Sequence, residues 1–311
     1  MDDIISVSGS IKSLEKKFLT ADQLSRAVQS RSFTEFAAAL ADSRYKVPQS
    51  PSRAEEVANF FEGLTAELVD EMHRNLPADI YRYFTLEYDF HNMGLIARKE
   101  THAAEKGKNY TVHSSVDYFT MKSSVENNNY KDIPEHLKDV LSFVHDNMEA
   151  EDLSLSLKKM YYGTSVRLLK EFRSDFINRY LGIEIDFANM ATFVQQKMAG
   201  IQSGKGSFID GGNIKVERFA AENVLWEAVG KAYKKIPVPV TVETCDAARY
   251  TAIMDYIKTG RLIPYGIETV FAYFAGRRIE LDNVRRLAFG KFYSVDPKVL
   301  SEWALPPYQY V

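Results

Sequence analysis

The sequence predicts an all-α protein made of three similar helical units. Three observations lead there. One pattern is written three times at nearly equal intervals. Apolar residues recur at helical spacing almost throughout. Only 10 Pro and 16 Gly occur in 311 residues, too few for a β-rich chain full of tight turns. The pattern runs Tyr83 to Met93, Tyr180 to Met190 and Phe274 to Val284, and its asparagines, Asn92, Asn189 and Asn283, stand 97 and then 94 residues apart. That interval is too long for a solenoid unit and suits a small helical module. The expected modules are residues 1–110, 111–205 and 206–311.

Taken in order, Thr20-Ala-Asp-Gln23 predicts a capping box opening the first clear helix. Leu24, Ala27 and Val28 follow at helical spacing, and Ser32 is a plausible cap for the next helix. Pro48 and Pro51 mark a loop. Residues 53–75 carry Val57, Phe60, Phe61, Leu64 and Leu68, an i, i+3, i+4, i+7 series. Pro77 closes that helix before the first copy of the pattern. Residues 101–115, charged and His-rich, read as a connector. Residues 155–176 read as one amphipathic helix with Leu157, Met160, Tyr161, Val166, Leu169 and Phe172 on its apolar face. The glycine-rich stretch from Gly200 to Gly212 reads as a break. Ile236-Pro-Val-Pro-Val is β-branched but proline-interrupted, at best a short edge segment. Pro264 starts the last long helix, and Leu305-Pro-Pro-Tyr forms an aromatic, extended tail.

On a helical wheel the pattern has two apolar faces. Counting from each Asn, offsets −9, −6, −2, +1 and +5 form one stripe: Tyr83, Leu86, Phe90, Met93, Ala97 in the first copy, with Tyr180 to Val194 and Phe274 to Ala288 in the others. Offsets −4 and +4 form the second face, and the Asn lies between them. Each of these helices is therefore expected to be buried on two sides. A buried amide without partners costs about 1–3 kcal/mol, so each Asn is expected to tie its helix to a neighbouring loop. The acid at −3 (Asp89, Asp186, Glu280) is one turn away and can share that network.

The sharper alternative is acid–base catalysis by Glu87/Asp89 and Glu184/Asp186. Residues two apart on a helix point in different directions, and the third copy replaces the first carboxylate with Arg278. The structural reading is stronger. A helical enzyme would need at least two of Glu87, Glu184, Glu280, His91 and His145 in one cleft.

Other chemistry is poorly supported. Gly200-Ile-Gln-Ser-Gly204-Lys205-Gly206 has the wrong spacing for a phosphate loop and follows a helix rather than a strand. The six His (73, 91, 102, 113, 136 and 145) show no i, i+4 pair, and Cys245 is alone, so no metal or cofactor is expected. A single Cys fits a reducing compartment. With 39 basic and 42 acidic residues the net charge is −3, which gives no electrostatic footprint for nucleic acid. The N-terminus lacks the order of a signal peptide, and no apolar run reaches a bilayer's thickness.

Several segments resemble a known family. Gly9 to Thr20 resembles its opening helix, and Asp89-Phe-His-Asn92-Met-Gly-Leu-Ile-Ala-Arg98 its Asp-x-x-Asn segment. Phe208-Ile-Asp-Gly211-Gly212 resembles its Gly-Gly turn. The closest likeness is Tyr273 to Lys291, with Glu280, Asn283, Arg285 and the Gly290-Lys291 pair. The chain is similar to the C subunit of the archaeal and bacterial V/A-type ATPases, the counterpart of the eukaryotic d subunit. Residues 100–150 match weakly, and Gln195 and Gln196 stand where the first copy has Arg98 and Lys99. The chain is also somewhat short, which implies trimmed loops.

The resemblance implies three helical units around a pseudo-threefold axis, forming a funnel. It implies a non-catalytic adaptor, peripheral on the cytoplasmic face of a membrane complex that moves H⁺ or Na⁺. Its partners would be the membrane rotor ring and the central-stalk subunits of the catalytic head, between which it transmits torque. A helical protein-binding scaffold unrelated to the ATPase is the alternative, with an enzyme using Glu87, Glu184 or His91 behind it.

Overall fold

The structure, a computed structural model, describes residues 2–98, 110–148, 150, 153–201 and 204–309. Among these it contains thirteen α-helices and no strand. The chain divides into two compact units, Leu76–Leu181 and the combination of Met1–Asn75 with Gly182–Val311.

The larger unit opens with α1 (Asp2–Leu14), which a short 3₁₀ turn, Glu15–Lys17, extends. In α2 (Ala21–Gln29) the expected capping box is present. Gln23 N–H donates to Thr20 Oγ1 at 3.1 Å, and Thr20 N–H donates to Gln23 Oε1 at 3.0 Å. Thr20→Ala removes this reciprocal cap and should lower unfolding stability by about 1 kcal/mol in a urea titration. Ser32 caps α3 (Phe33–Ala39) by accepting from Glu35 N–H. The i, i+3, i+4, i+7 series forms α4 (Ala54–Asn75), with Val57, Phe61, Leu68 and Met72 buried.

After the smaller unit, the chain returns with most of α9 (Asp175–Met198), then α10 (Glu222–Ala232), α11 (Val242–Ile257), α12 (Ile267–Phe292) and α13 (Pro297–Trp303). The centre of the larger unit is α12, which packs against α1, α3, α4, α11 and α13. It is buried on more than one face: Phe271, Phe274 and Leu281 are inside, and so are Ile279 and Leu287. A helix buried on several sides shows little amphipathic contrast, because its apolar residues are spread around the wheel rather than gathered in one stripe.

The smaller unit holds α5 (Ala78–Ala97), α6 (Tyr118–Glu126), α7 (Glu135–Asn147), α8 (Leu153–Lys170) and the first turns of α9. Pro77 and Pro134 stand just before α5 and α7, where an extended backbone suits proline. Asp117 caps α6 by accepting from Phe119 and Thr120 N–H at 3.1 and 3.0 Å. α5 packs against α6, α7 and α8, over a core that includes Ile80, Phe84, Met121, Val125, Leu137 and Leu141.

Two expectations need correction. The helix read as 155–176 ends at Lys170, and a turn with Arg173 at φ 45° separates it from α9. Ser174 then restarts the helix by accepting from Ile177 N–H at 3.3 Å. The apolar face differs too: Val166 is exposed, while Leu153, Leu168 and Leu169 are buried. The Ile236–Val240 segment is irregular rather than an edge strand. The connector's residues 101–109, with His102, lie outside the described residues, as do Lys99 and residues 202–203 of the glycine-rich stretch.

Candidate functional site

All three asparagines of the repeated pattern are buried on long helices, and each holds the backbone of a residue 19 to 22 positions downstream. Asn189 on α9 donates through Nδ2 to the Ile209 carbonyl at 2.8 Å, and its Oδ1 accepts from Ile209 N–H at 2.8 Å. Asn92 on α5 treats Thr111 the same way, at 3.0 and 2.9 Å, and Nδ2 also reaches Ser114 Oγ at 2.9 Å. Asn283 on α12 grips Leu305 at 3.3 and 3.0 Å. A primary amide presents one donor edge and one acceptor edge, as a peptide group does. It can therefore replace a missing strand or helix partner for one loop residue and leave neither side unsatisfied.

The acids one turn earlier fix a second point. Asp89 accepts from Ser115 N–H at 2.7 Å and from Ser115 Oγ. Asp186 accepts from Ile214 N–H at 2.9 Å and from the Tyr233 hydroxyl. In the third copy the longer Glu280 reaches an upstream segment instead, accepting from Leu19 N–H at 2.7 Å and from the Tyr45 hydroxyl at 3.0 Å. The Gly-Gly turn has a direct reason at the second site. A Cβ on Gly212 would fall 2.2 Å from Asp186 Oδ1, and Gly211 has φ +97°.

Burial dominates the ionisation of these acids. It pushes Asp89, Asp186 and Glu280 each up to about 7, against hydrogen bonds that favour the charged forms. Burial wins because each carboxyl is enclosed and, among the described residues, none has a cation bonded to it to offset the desolvation.

The position two before each acid is not equivalent across the copies. Glu184 is buried and pairs with Arg249 at 2.9 Å. Arg278 is half-buried on α12. Glu87 lines a cavity of about 630 Å³ between α5 and α8, together with His91, Arg98 and Lys158. Two of the five groups named for the enzyme alternative, Glu87 and His91, thus share one cavity. Glu184 and Glu280 belong to the other unit, and His145 Nδ1 lies 2.7 Å from the Val125 carbonyl oxygen. Among the described residues no group of His, Cys, Asp or Glu could hold a metal ion. Among the same residues no helix is long and apolar enough to cross a membrane.

Sequence reasoning did not find the other half of the network. Tyr45, Tyr233, Ser115 and Leu19 carry no local signature, because their partners are remote in sequence. Lys291, in the Gly-Lys pair, also has a structural task. Its Nζ donates to the carbonyls of Val28 and Ser30 at 2.6 and 2.5 Å, which closes the C-terminal end of α2.

What the fold and this network define is an all-helical protein in which a pattern written three times in the sequence binds the chain's own loops. The ATP synthase (C/AC39) subunit family matches residues 7–302, nearly the whole chain, and the chain belongs to that family. It is similar to the C subunit of the A-type ATP synthase of Desulfurococcus sp., at 22% identity over 94% of this chain and 88% of the relative. It is also similar to the same protein from Thermococcus kodakarensis and from Thermococcus gammatolerans, at 22% and 24% identity over 67% of this chain. The chain spans 61% of the length of each Thermococcus relative.

Proposed function

We propose that this chain is the non-catalytic component that couples the membrane rotor ring of an A/V-type ATP synthase to its central shaft. The observation that carries this reading is the amide anchor repeated on α5, α9 and α12, in a chain of the C/AC39 family. A torque-bearing adaptor needs stiffness more than chemistry. Clamping a loop to a buried helix at two points supplies stiffness, because an opening motion has to break several buried hydrogen bonds together. In this reading the repeat-bearing residues Glu87, Asp89, Asn92, Glu184, Asp186, Asn189, Arg278, Glu280 and Asn283 build the modules 1–110, 111–205 and 206–311. The modules stand around a pseudo-threefold axis as a funnel. The protein sits on the cytoplasmic face, bound to the ring and the central-stalk subunits, and the complex moves H⁺ or Na⁺.

Affinity purification from native membranes in mild detergent tests this. The expected result is co-recovery of both ring subunits and catalytic-head subunits. Recovery of neither, from membranes whose ATPase stays assembled, would rule the reading out.

A further inference from the structure

The larger unit contains a second polar cavity, of about 270 Å³, that the loop anchors do not explain. Its walls come from Leu14 and Lys17, from Arg44 and Tyr45, from Glu67 and Glu71 on α4, and from Tyr273 and Arg277 on α12. Its donors outnumber its acceptors. The Glu71 carboxylate is already engaged, accepting from the Tyr273 hydroxyl at 3.2 Å and from Arg277 Nη1 at 3.1 Å. Arg277 Nε–H is buried and finds no acceptor among the described residues. Buried N–H groups nearly always have one.

Arg44 is held in place without being neutralised. Its Nε donates to the Lys17 carbonyl at 3.2 Å, Nη2 lies 3.5 Å from the Leu14 carbonyl, and the guanidinium stands 5.6 Å above the Phe18 ring. Among the described residues no carboxylate forms an ion pair with Arg44 or with Lys17. Glu280 lies behind Tyr45 and feels the Arg44 charge, but burial pushes that carboxyl up to about 7. The one other acid on the rim, Glu67, is exposed, where water and salt screen it.

We propose that this cavity binds a small free oxyanion of the phosphate class through Lys17, Arg44 and Arg277. The three cations come from three separate chain segments. A tetrahedral oxyanion offers acceptors in several directions and can meet all three, whereas a carboxylate presents a single plane. The volume lies below the range of drug-sized ligand pockets, which keeps the ligand small. A bound anion would stand next to the Tyr45–Glu280 wall that holds Leu19 to α12.

The test is isothermal titration of the full chain with inorganic phosphate at fixed ionic strength, with acetate as the planar comparison. The expected result is saturable phosphate binding, weakened about tenfold by Arg44→Gln and measurably by Lys17→Gln, with acetate weaker than phosphate. Arg53→Gln, on the exposed start of the α4 segment, should bind as the wild type does. If Arg44→Gln fails to fold, Lys17→Gln decides, because its side chain is exposed. No saturable heat with the wild type, unchanged affinity in Lys17→Gln, or equal weakening by Arg53→Gln would each overturn the proposal.

Discussion

Asn189→Ala should lower unfolding stability by roughly 4 kcal/mol. The substitution strips Ile209 of both partners at once, because the two 2.8 Å bonds to its N–H and its carbonyl come from one amide. Each orphaned buried group costs about 1–3 kcal/mol, and the vacated space adds a smaller cavity term. The setting rules out easy compensation. Residues Tyr180 to Met190 are all buried, and so is Ile209, so water cannot replace the lost partners without opening the core. Asn92→Ala should be milder by about 1–2 kcal/mol, since Thr111 is only half-buried and water can reach its backbone. Urea unfolding followed by circular dichroism compares the two directly. Equal losses would mean that burial of the loop does not set the strength of the anchor.

The second large effect concerns pH. For Asp89, Asp186 and Glu280 the folded-state value of about 7 lies above the ordinary 3.8 or 4.5. The folded protein therefore holds these protons more tightly than the unfolded chain does. The stabilisation is fully present below about pH 4 and is lost as pH rises toward and through 7. A rise from 3.8 to about 7 corresponds to roughly 4 kcal/mol for one group, as an upper bound. Carboxylates whose values are lowered, such as Glu135 and Glu222, act in the opposite direction, but they are exposed and contribute little. Unfolding free energy should thus fall by several kcal/mol between about pH 5 and pH 8. Asp186→Asn should flatten part of that slope. A stability that rises over this interval would show that the hydrogen bonds to these carboxylates outweigh their burial.

The anchoring role of the asparagines is readable from the wheel, because two apolar faces flanking one amide leave it nowhere to go except into a buried partner. The helix class and most boundaries are readable for a related reason: capping residues such as Thr20, Ser32 and Pro77 act on their immediate neighbours. The loop residues that the amides hold are not readable. Thr111, Ile209 and Leu305 share no side-chain chemistry, since only their backbones are recognised. The break at 171–174 is hidden because Phe172 keeps the apolar period running through the turn. Ser174 and the following Asp are the available signal for a new helix start.

The acid of the third copy, Glu280, differs from those of the other two in reaching backwards, to Leu19 and Tyr45. Nearby, Tyr308 packs on Phe18 at 4.3 Å, and Gln309 donates to the carbonyls of Glu15, Lys16 and Phe18. A ribosome makes the two sides of this seam far apart in time. When Phe18 and Leu19 emerge, the helix and tail that cover them are still more than two hundred residues from being translated. Phe18 and Leu19 must wait for that cover, whereas 76–181 is continuous in sequence and packs as one compact unit. Vectorial synthesis thus separates the two sides of this seam in time: the side made earlier has to be held until the later one is translated.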